Sequence, residues 1–209
     1  MIFYDCKTAP SPRRVRIFLA EKSISVDTIF VDLRNQEQLE PAFQLINPEC
    51  TVPVLELDDG TRLNTTAGIW TYLESLYPDP CLMGQTSIER AIIANTQWHI
   101  EINGFLAMAD YLRNSSPSMV NRALPGPHNY QQIPALADRS ELRVNSFLDS
   151  INELIGIKPF VAGQNFSIAD IDLFVLIQFA AWKHFGLPAN ATNAHRWYET
   201  MTQRPSMAL

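Results

Sequence analysis

The chain has 209 residues, 46% of them hydrophobic and 18% charged, with a formal net charge of −6. That length suits one large domain or two small ones, and the acidic balance offers no general attraction to nucleic acid or to an anionic membrane surface. No apolar run reaches the ~18 residues that a membrane span needs. Three widely spaced cysteines, Cys6, Cys50 and Cys81, make neither a disulfide framework nor a zinc pattern, so no metal is expected. The opening MIFYDCKTAP lacks the basic stretch and apolar core of a secretory leader, and a reducing, cytoplasmic setting is the expectation.

In chain order, MIFYD reads as a strand, and Pro12 is expected to begin a helix whose apolar face is Val15, Ile17, Phe18 and Leu19. A second strand is expected over residues 26–33, then a short helix over 37–47 that ends before Pro48. VPVLEL, DDG and TRLNT read as strand, turn and strand, with Asp59-Gly60 as the hairpin signal, and residues 66–77 show helical spacing. The order β-α-β-α-β-β-α argues for one mixed sheet covered by helices.

The character changes after residue 78. Residues 1–78 form the expected α/β domain, 79–86 a linker rich in proline and glycine, and 87–209 an all-helical domain. Residues 87–114 can hold one long helix that Asn103-Gly104 would bend, 115–134 a proline-rich connection, and 135–156 an amphipathic helix. Residues 166–186 are apolar nearly all round, which suits the buried centre of a bundle. Ser167 and Asp170 have the spacing of a capping box at its start. No internal repeat is present.

Three stretches at their separations, SPRRVRIFLAEK, NPECTVPVLELDDGTRLNTTAGIWTYLESLYP and FVAGQNFSIADIDLF, resemble the cytosolic glutathione transferase family, and point loosely to its serine-type, theta-like bacterial branch. The resemblance implies a thioredoxin-like N-terminal domain, a helical-bundle C-terminal domain, a homodimer, and glutathione as co-substrate with a small hydrophobic electrophile. It also implies a cis peptide at Val52-Pro53, which would free the Val52 backbone for the cysteinyl part of glutathione. Thr65 and Thr66 stand where the family binds the γ-glutamyl end, although Thr65 replaces an acidic residue and cannot make a charge-assisted bond to the ligand's ammonium. Thr66 would cap the helix or meet the carboxylate. Gln38 matches a position that contacts the glycine carboxylate.

The position that the resemblance marks for thiol activation holds Ala9, whose methyl group can neither donate a hydrogen bond nor attack. Ser11 and Thr8 are the neighbouring candidates, with Ser11 placed in the loop just ahead of the helix, where it would either face the sulfur or cap the helix. Tyr4 is a third, and it also reads as a packed strand residue. Cys6 comes too early for a redox nucleophile, and Ala9-Pro10 lacks the cysteine of a glutaredoxin-like exchanger. Trp98, Glu101, Phe105, Met108 and Arg113 fall at spacings suited either to a second-substrate wall or to a core, with Trp182 and Phe185 equally open. The expected function is therefore transfer of glutathione to an electrophile. Peroxide reduction, dehalogenation or a catalytically weak scaffold are the alternatives.

Overall fold

The computed structural model describes residues 1–209. They form two compact units, one of Met1–Pro80 with Pro125–His128 and Leu209, the other of Cys81–Leu124 with Asn129–Ala208.

The first unit runs β1 (Ile2–Asp5), α1 (Pro10–Glu21), β2 (Asp27–Phe30), a 3₁₀ turn at Glu37–Leu39, α2 (Pro41–Gln44), β3 (Val54–Glu56), β4 (Arg62–Leu63) and α3 (Thr66–Leu76). The sheet order is β2-β1-β3-β4. β1 pairs parallel to β2, as a crossover through α1 requires, and antiparallel to β3. Gly60, at φ +84, makes the β3–β4 turn. Tyr4, Val31, Phe43 and Val54 form one buried cluster. α1 and α3 pack together through Phe18 stacked on Trp70, with ring centroids 5.9 Å apart. The buried Lys22 ammonium pairs with Glu74 at 2.7 Å and donates to the Tyr77 and Pro80 carbonyls, which ties the end of α1 to the end of α3.

Two expected boundaries move. α1 begins at Pro10 with Ala9 as N-cap, so Ser11 lies in the first helical turn and neither precedes nor caps the helix. Pro10 is as well suited to the first helical position as Pro12, because either ring presets φ and neither needs an N–H partner there. The helix expected over 37–47 is split at Pro41, since the residue before a proline is driven out of the helical region, and Glu40 has ψ 147.

The second unit runs α4 (Ser87–Ile100), a π-helical turn (Glu101–Phe105), α5 (Leu106–Ser115), α6 (Pro134–Ile155), α7 (Ile168–Ala181), α8 (Thr192–Thr202) and a closing 3₁₀ turn at Pro205–Ala208. The π turn interrupts the long helix at Asn103-Gly104. A methyl group on Gly104 would stand 2.1 Å from Leu176 Cδ2, so α7 presses directly on this backbone. α7 is buried at every position except Gln178 and Ala181. Its start is fixed by Asp170, whose Oδ1 accepts from Val161 N–H at 2.8 Å and Trp197 Nε1–H at 2.8 Å. Its Oδ2 accepts from the Ser167 N–H at 3.0 Å and hydroxyl at 3.2 Å, the capping arrangement expected from the spacing. No helix is long and apolar enough to cross a membrane.

Candidate active site

The loop between β1 and α1 is held by Arg16. Its Nη1 donates to Asp5 Oδ1 at 2.6 Å and to Cys6 O at 3.2 Å, and its Nη2 to Lys7 O at 3.2 Å. Asp5 is fully buried. Burial pushes its carboxyl up, and the Arg16 guanidinium opposes that shift. Ala9 N–H closes the loop on Cys6 O at 3.1 Å.

This anchored loop leads into a helix end with few donors. Pro10 and Pro12 have no N–H, and Arg13 N–H is taken by Ala9 O at 3.3 Å. The Ser11 N–H takes no acceptor within the chain. An unused N–H at the positive end of a helix is a natural partner for an anion. The Ser11 hydroxyl accepts from Arg14 Nη2 at 3.2 Å. A cation donating into that oxygen leaves the hydroxyl proton free and makes it a better donor. Thr8, the second candidate, is exposed, with its Oγ1 3.5 Å from Cys6 Sγ. Tyr4 is buried, and its hydroxyl donates to Glu56 Oε2 at 3.5 Å. Burial and then the Glu56 charge hold the Tyr4 phenol above its ordinary range, the wrong direction for a thiolate donor.

The loop before β3 is built on the buried Asn47. Its Nδ2 donates to Thr51 O at 2.8 Å and Oγ1 at 3.1 Å, while its Oδ1 accepts from Glu49 N–H and Asn64 Nδ2, both at 3.1 Å. The Val52-Pro53 peptide is cis. The Val52 N–H and C=O take no partner within the chain, so a free donor and acceptor stand together at this loop.

At the start of α3 the capping role falls to Thr65, not Thr66. The Thr65 hydroxyl accepts from Gly68 N–H at 3.0 Å, and a methyl group on Gly68 would lie only 2.9 Å from that oxygen. Thr66 is the first helical residue and is buried. The N–H groups of Thr66 and Ala67 keep no acceptor within the chain, a pair suited to a carboxylate. Thr65→Ala is expected to cost about 1 kcal/mol in stability through the lost cap, read as a lower urea midpoint at unchanged slope. Gln38 sits in the Glu37–Leu39 turn, where its Oε1 is buried without a partner.

The family description "Glutathione S-transferase, N-terminal domain" matches residues 8–76, and "Glutathione S-transferase, C-terminal domain" matches residues 109–205. Glutathione S-transferase 2 of Saccharomyces cerevisiae is 34% identical over 99% of this chain and 88% of its own length. The chain belongs to the glutathione S-transferase family.

Solved members of the family have the same fold. The crystal structure of Gtt2 from Saccharomyces cerevisiae has a TM-score of 0.90 at 32% identity, covering 100% of this chain and 99% of that one. A glutathione S-transferase domain-containing protein from Marinobacter aquaeolei has a TM-score of 0.90 at 30% identity, covering 99% and 100%.

Sequence reasoning missed the groups that support the site. The sequence assigns no supporting role to Arg14 or Arg16, and Asn47 enters only as the last residue of the helix expected over 37–47. The i,i+3 relation of Ser11 and Arg14 becomes a signal once the helix is known to start at Pro10. Among the second-substrate candidates, Met108 is fully buried and Phe105 stacks on Phe179 with centroids 6.5 Å apart, so both belong to the core of the helical unit. Trp98 and Trp182 are 67% and 52% exposed.

Proposed function

We propose that this glutathione S-transferase binds glutathione on its first unit, stabilises the thiolate at Ser11 and directs it at a small hydrophobic electrophile. The γ-glutamyl carboxylate lies on the Thr66 and Ala67 N–H groups, with Thr65 beside it. The cysteinyl backbone pairs strand-like with Val52 ahead of Pro53, and Gln38 reaches the glycine carboxylate. The sulfur meets the Ser11 N–H and hydroxyl, with Thr8 at the loop edge. The working assembly is a homodimer.

The observation that carries this reading is the Ser11 group itself: a hydroxyl backed by Arg14 at 3.2 Å, beside an unused N–H at a helix N-terminus. A free thiol has a pKa near ~8.5, and lowering it by ~2 units takes about 2.7 kcal/mol. A hydrogen bond to a charged group supplies about 1.5–3 kcal/mol, and a helix N-terminus about 0.3–1 kcal/mol. The two together reach the requirement without any residue at the Ala9 position.

Ser11→Ala is the test. Loss of the hydroxyl is expected to lower kcat/KM for a chloronitrobenzene electrophile by about 10- to 100-fold, the equivalent of one such bond. Glutathione affinity is expected to change far less. An unchanged rate would remove the hydroxyl from the mechanism and leave the main-chain N–H as the activating group.

A further inference from the structure

Glutathione carries a carboxylate and an ammonium on the same carbon of its γ-glutamyl end, so the groups at the start of α3 meet both charges. The chain offers that carbon donors. The Thr66 and Ala67 N–H groups keep no acceptor within the chain, and Thr66 is buried with a hydroxyl that also takes no partner there. Three donors at the positive end of an 11-residue helix suit the carboxylate.

The ammonium meets no matching acid. The residues that lead into the helix, Asn64 and Thr65, are both neutral. Asn64 Nδ2 donates to Asn47 Oδ1 at 3.1 Å, and the Thr65 hydroxyl accepts from Gly68 N–H at 3.0 Å. The acids of the β3–β4 hairpin are engaged elsewhere: Glu56 with Arg62 at 2.7 Å, Asp58 with the N-terminal ammonium at 2.6 Å, and Asp59 with the Thr61 N–H at 2.9 Å. Glu74, at the far end of α3, pairs with Lys22. No acidic side chain hydrogen-bonds to any residue from 64 to 67. A helix N-terminus that favours an anion disfavours a cation through the same field, and no carboxylate is there to offset it. Asn64, Thr65 and Ala67 are exposed, so an ammonium beside them keeps its water and gains little from the protein.

We propose that this subsite reads the γ-glutamyl carboxylate and not the ammonium, and that the neutral side chain of Thr65 decides it. The thiol co-substrates then extend to glutathione-like thiols that lack the amino charge. This breadth rests on the glutathione reading above.

Two arms of one experiment keep the two apart. In the first, wild type, Thr65→Asp and Thr65→Asn are titrated calorimetrically with glutathione and with its des-amino analogue, glutarylcysteinylglycine. Aspartate and asparagine both cap a helix as threonine does, and only aspartate adds the charge. Wild type is expected to bind the des-amino thiol as tightly as glutathione, or up to about 3-fold more tightly, the scale of a helix-end effect. Thr65→Asp is expected to prefer glutathione by about 10-fold, as a charge-assisted bond to the ammonium provides. Thr65→Asn is expected to keep the wild-type ratio, whatever its affinity. A wild-type preference for glutathione of about 10-fold or more overturns the proposal, whether the acid that serves the ammonium lies in this chain or in a partner subunit. An unchanged ratio in Thr65→Asp overturns the role of position 65.

In the second arm, kcat/KM of wild type for a chloronitrobenzene electrophile is measured with each thiol. The des-amino thiol is expected to match glutathione within about 3-fold. A loss of about 10-fold or more with the des-amino thiol, at equal binding, overturns its role as co-substrate. Turnover of neither thiol refutes the transferase reading, while the titration still decides what the subsite reads. Binding of neither thiol refutes the glutathione reading and the proposal with it.

Discussion

Asp170→Ala is expected to be the most damaging single substitution in the helical unit, costing on the order of 3–5 kcal/mol or preventing folding outright. The carboxylate satisfies four donors, the N–H groups of Val161 and Ser167, the Ser167 hydroxyl and the Trp197 indole, and all of them would be left buried. Each unsatisfied buried donor costs about 1–3 kcal/mol. Asp170→Asn should lose less, because its oxygen can still serve Val161 and Trp197 while its amide nitrogen opposes Ser167. Urea unfolding followed by far-ultraviolet circular dichroism reads both variants. A loss under about 1 kcal/mol for the alanine variant would mean that the network contributes no more than an ordinary single hydrogen bond.

The same carboxyl gives the unit a pH signature. Burial pushes Asp170 up to about 6, against the pull of its four hydrogen bonds. A folded-state pKa above the unfolded one favours the folded state when the group is protonated. The proton-linked part of its contribution is therefore fully present below pH ~4, the ordinary aspartate range. It is lost as the pH rises through about 6. In the asparagine variant this part of the pH dependence should be gone.

Arg16→Met is expected to cost about 3–5 kcal/mol, because it strands the buried Asp5 carboxylate in the sheet without its ion-pair partner. The Cys6 and Lys7 carbonyls would also lose their donor, which loosens the loop that delivers Ala9 and Ser11 to the helix. Stability and glutathione turnover should therefore fall together, whereas Ser11→Ala should lower turnover alone. Since Asp5 already titrates above the ordinary carboxylate range, removing Arg16 raises it further. The deficit should be greatest at neutral pH and shrink on acidification, as Asp5 takes up its proton. Melting temperatures at pH 5 and pH 7 test this, and an equal deficit at both would contradict the buried-charge account.

Much of the fold was legible because local patterns and tertiary packing agree. Alternating and helical apolar spacing gave the strands and the long helices, Asp59-Gly60 the hairpin, and Ser167 with Asp170 the start of the central helix. What was not legible needed information from elsewhere in the chain. Either proline near the start of α1 suits the first helical position, and the choice between them moves Ser11 from a loop into a helical turn. Asn103-Gly104 marked a bend in the long helix, but the close approach of Leu176 on α7 to Gly104 lies outside any local window. Thr65 and Thr66 are equally good caps by type, and only the backbone, with Thr65 extended and Gly68 beneath its hydroxyl, separates them. Arg14 and Arg16 lie on nearly opposite sides of α1, so one backs the Ser11 hydroxyl and the other pairs with Asp5.

The most direct test of the central claim is the pKa of the glutathione thiol bound to the wild-type protein, followed by the ultraviolet absorbance of the thiolate across pH under saturating protein. A bound-thiol pKa well below the free value of ~8.5 is expected, with that depression reduced in Ser11→Ala. Saturable binding with an unshifted thiol would contradict the claim that this helix end, with alanine at its cap, activates the sulfur.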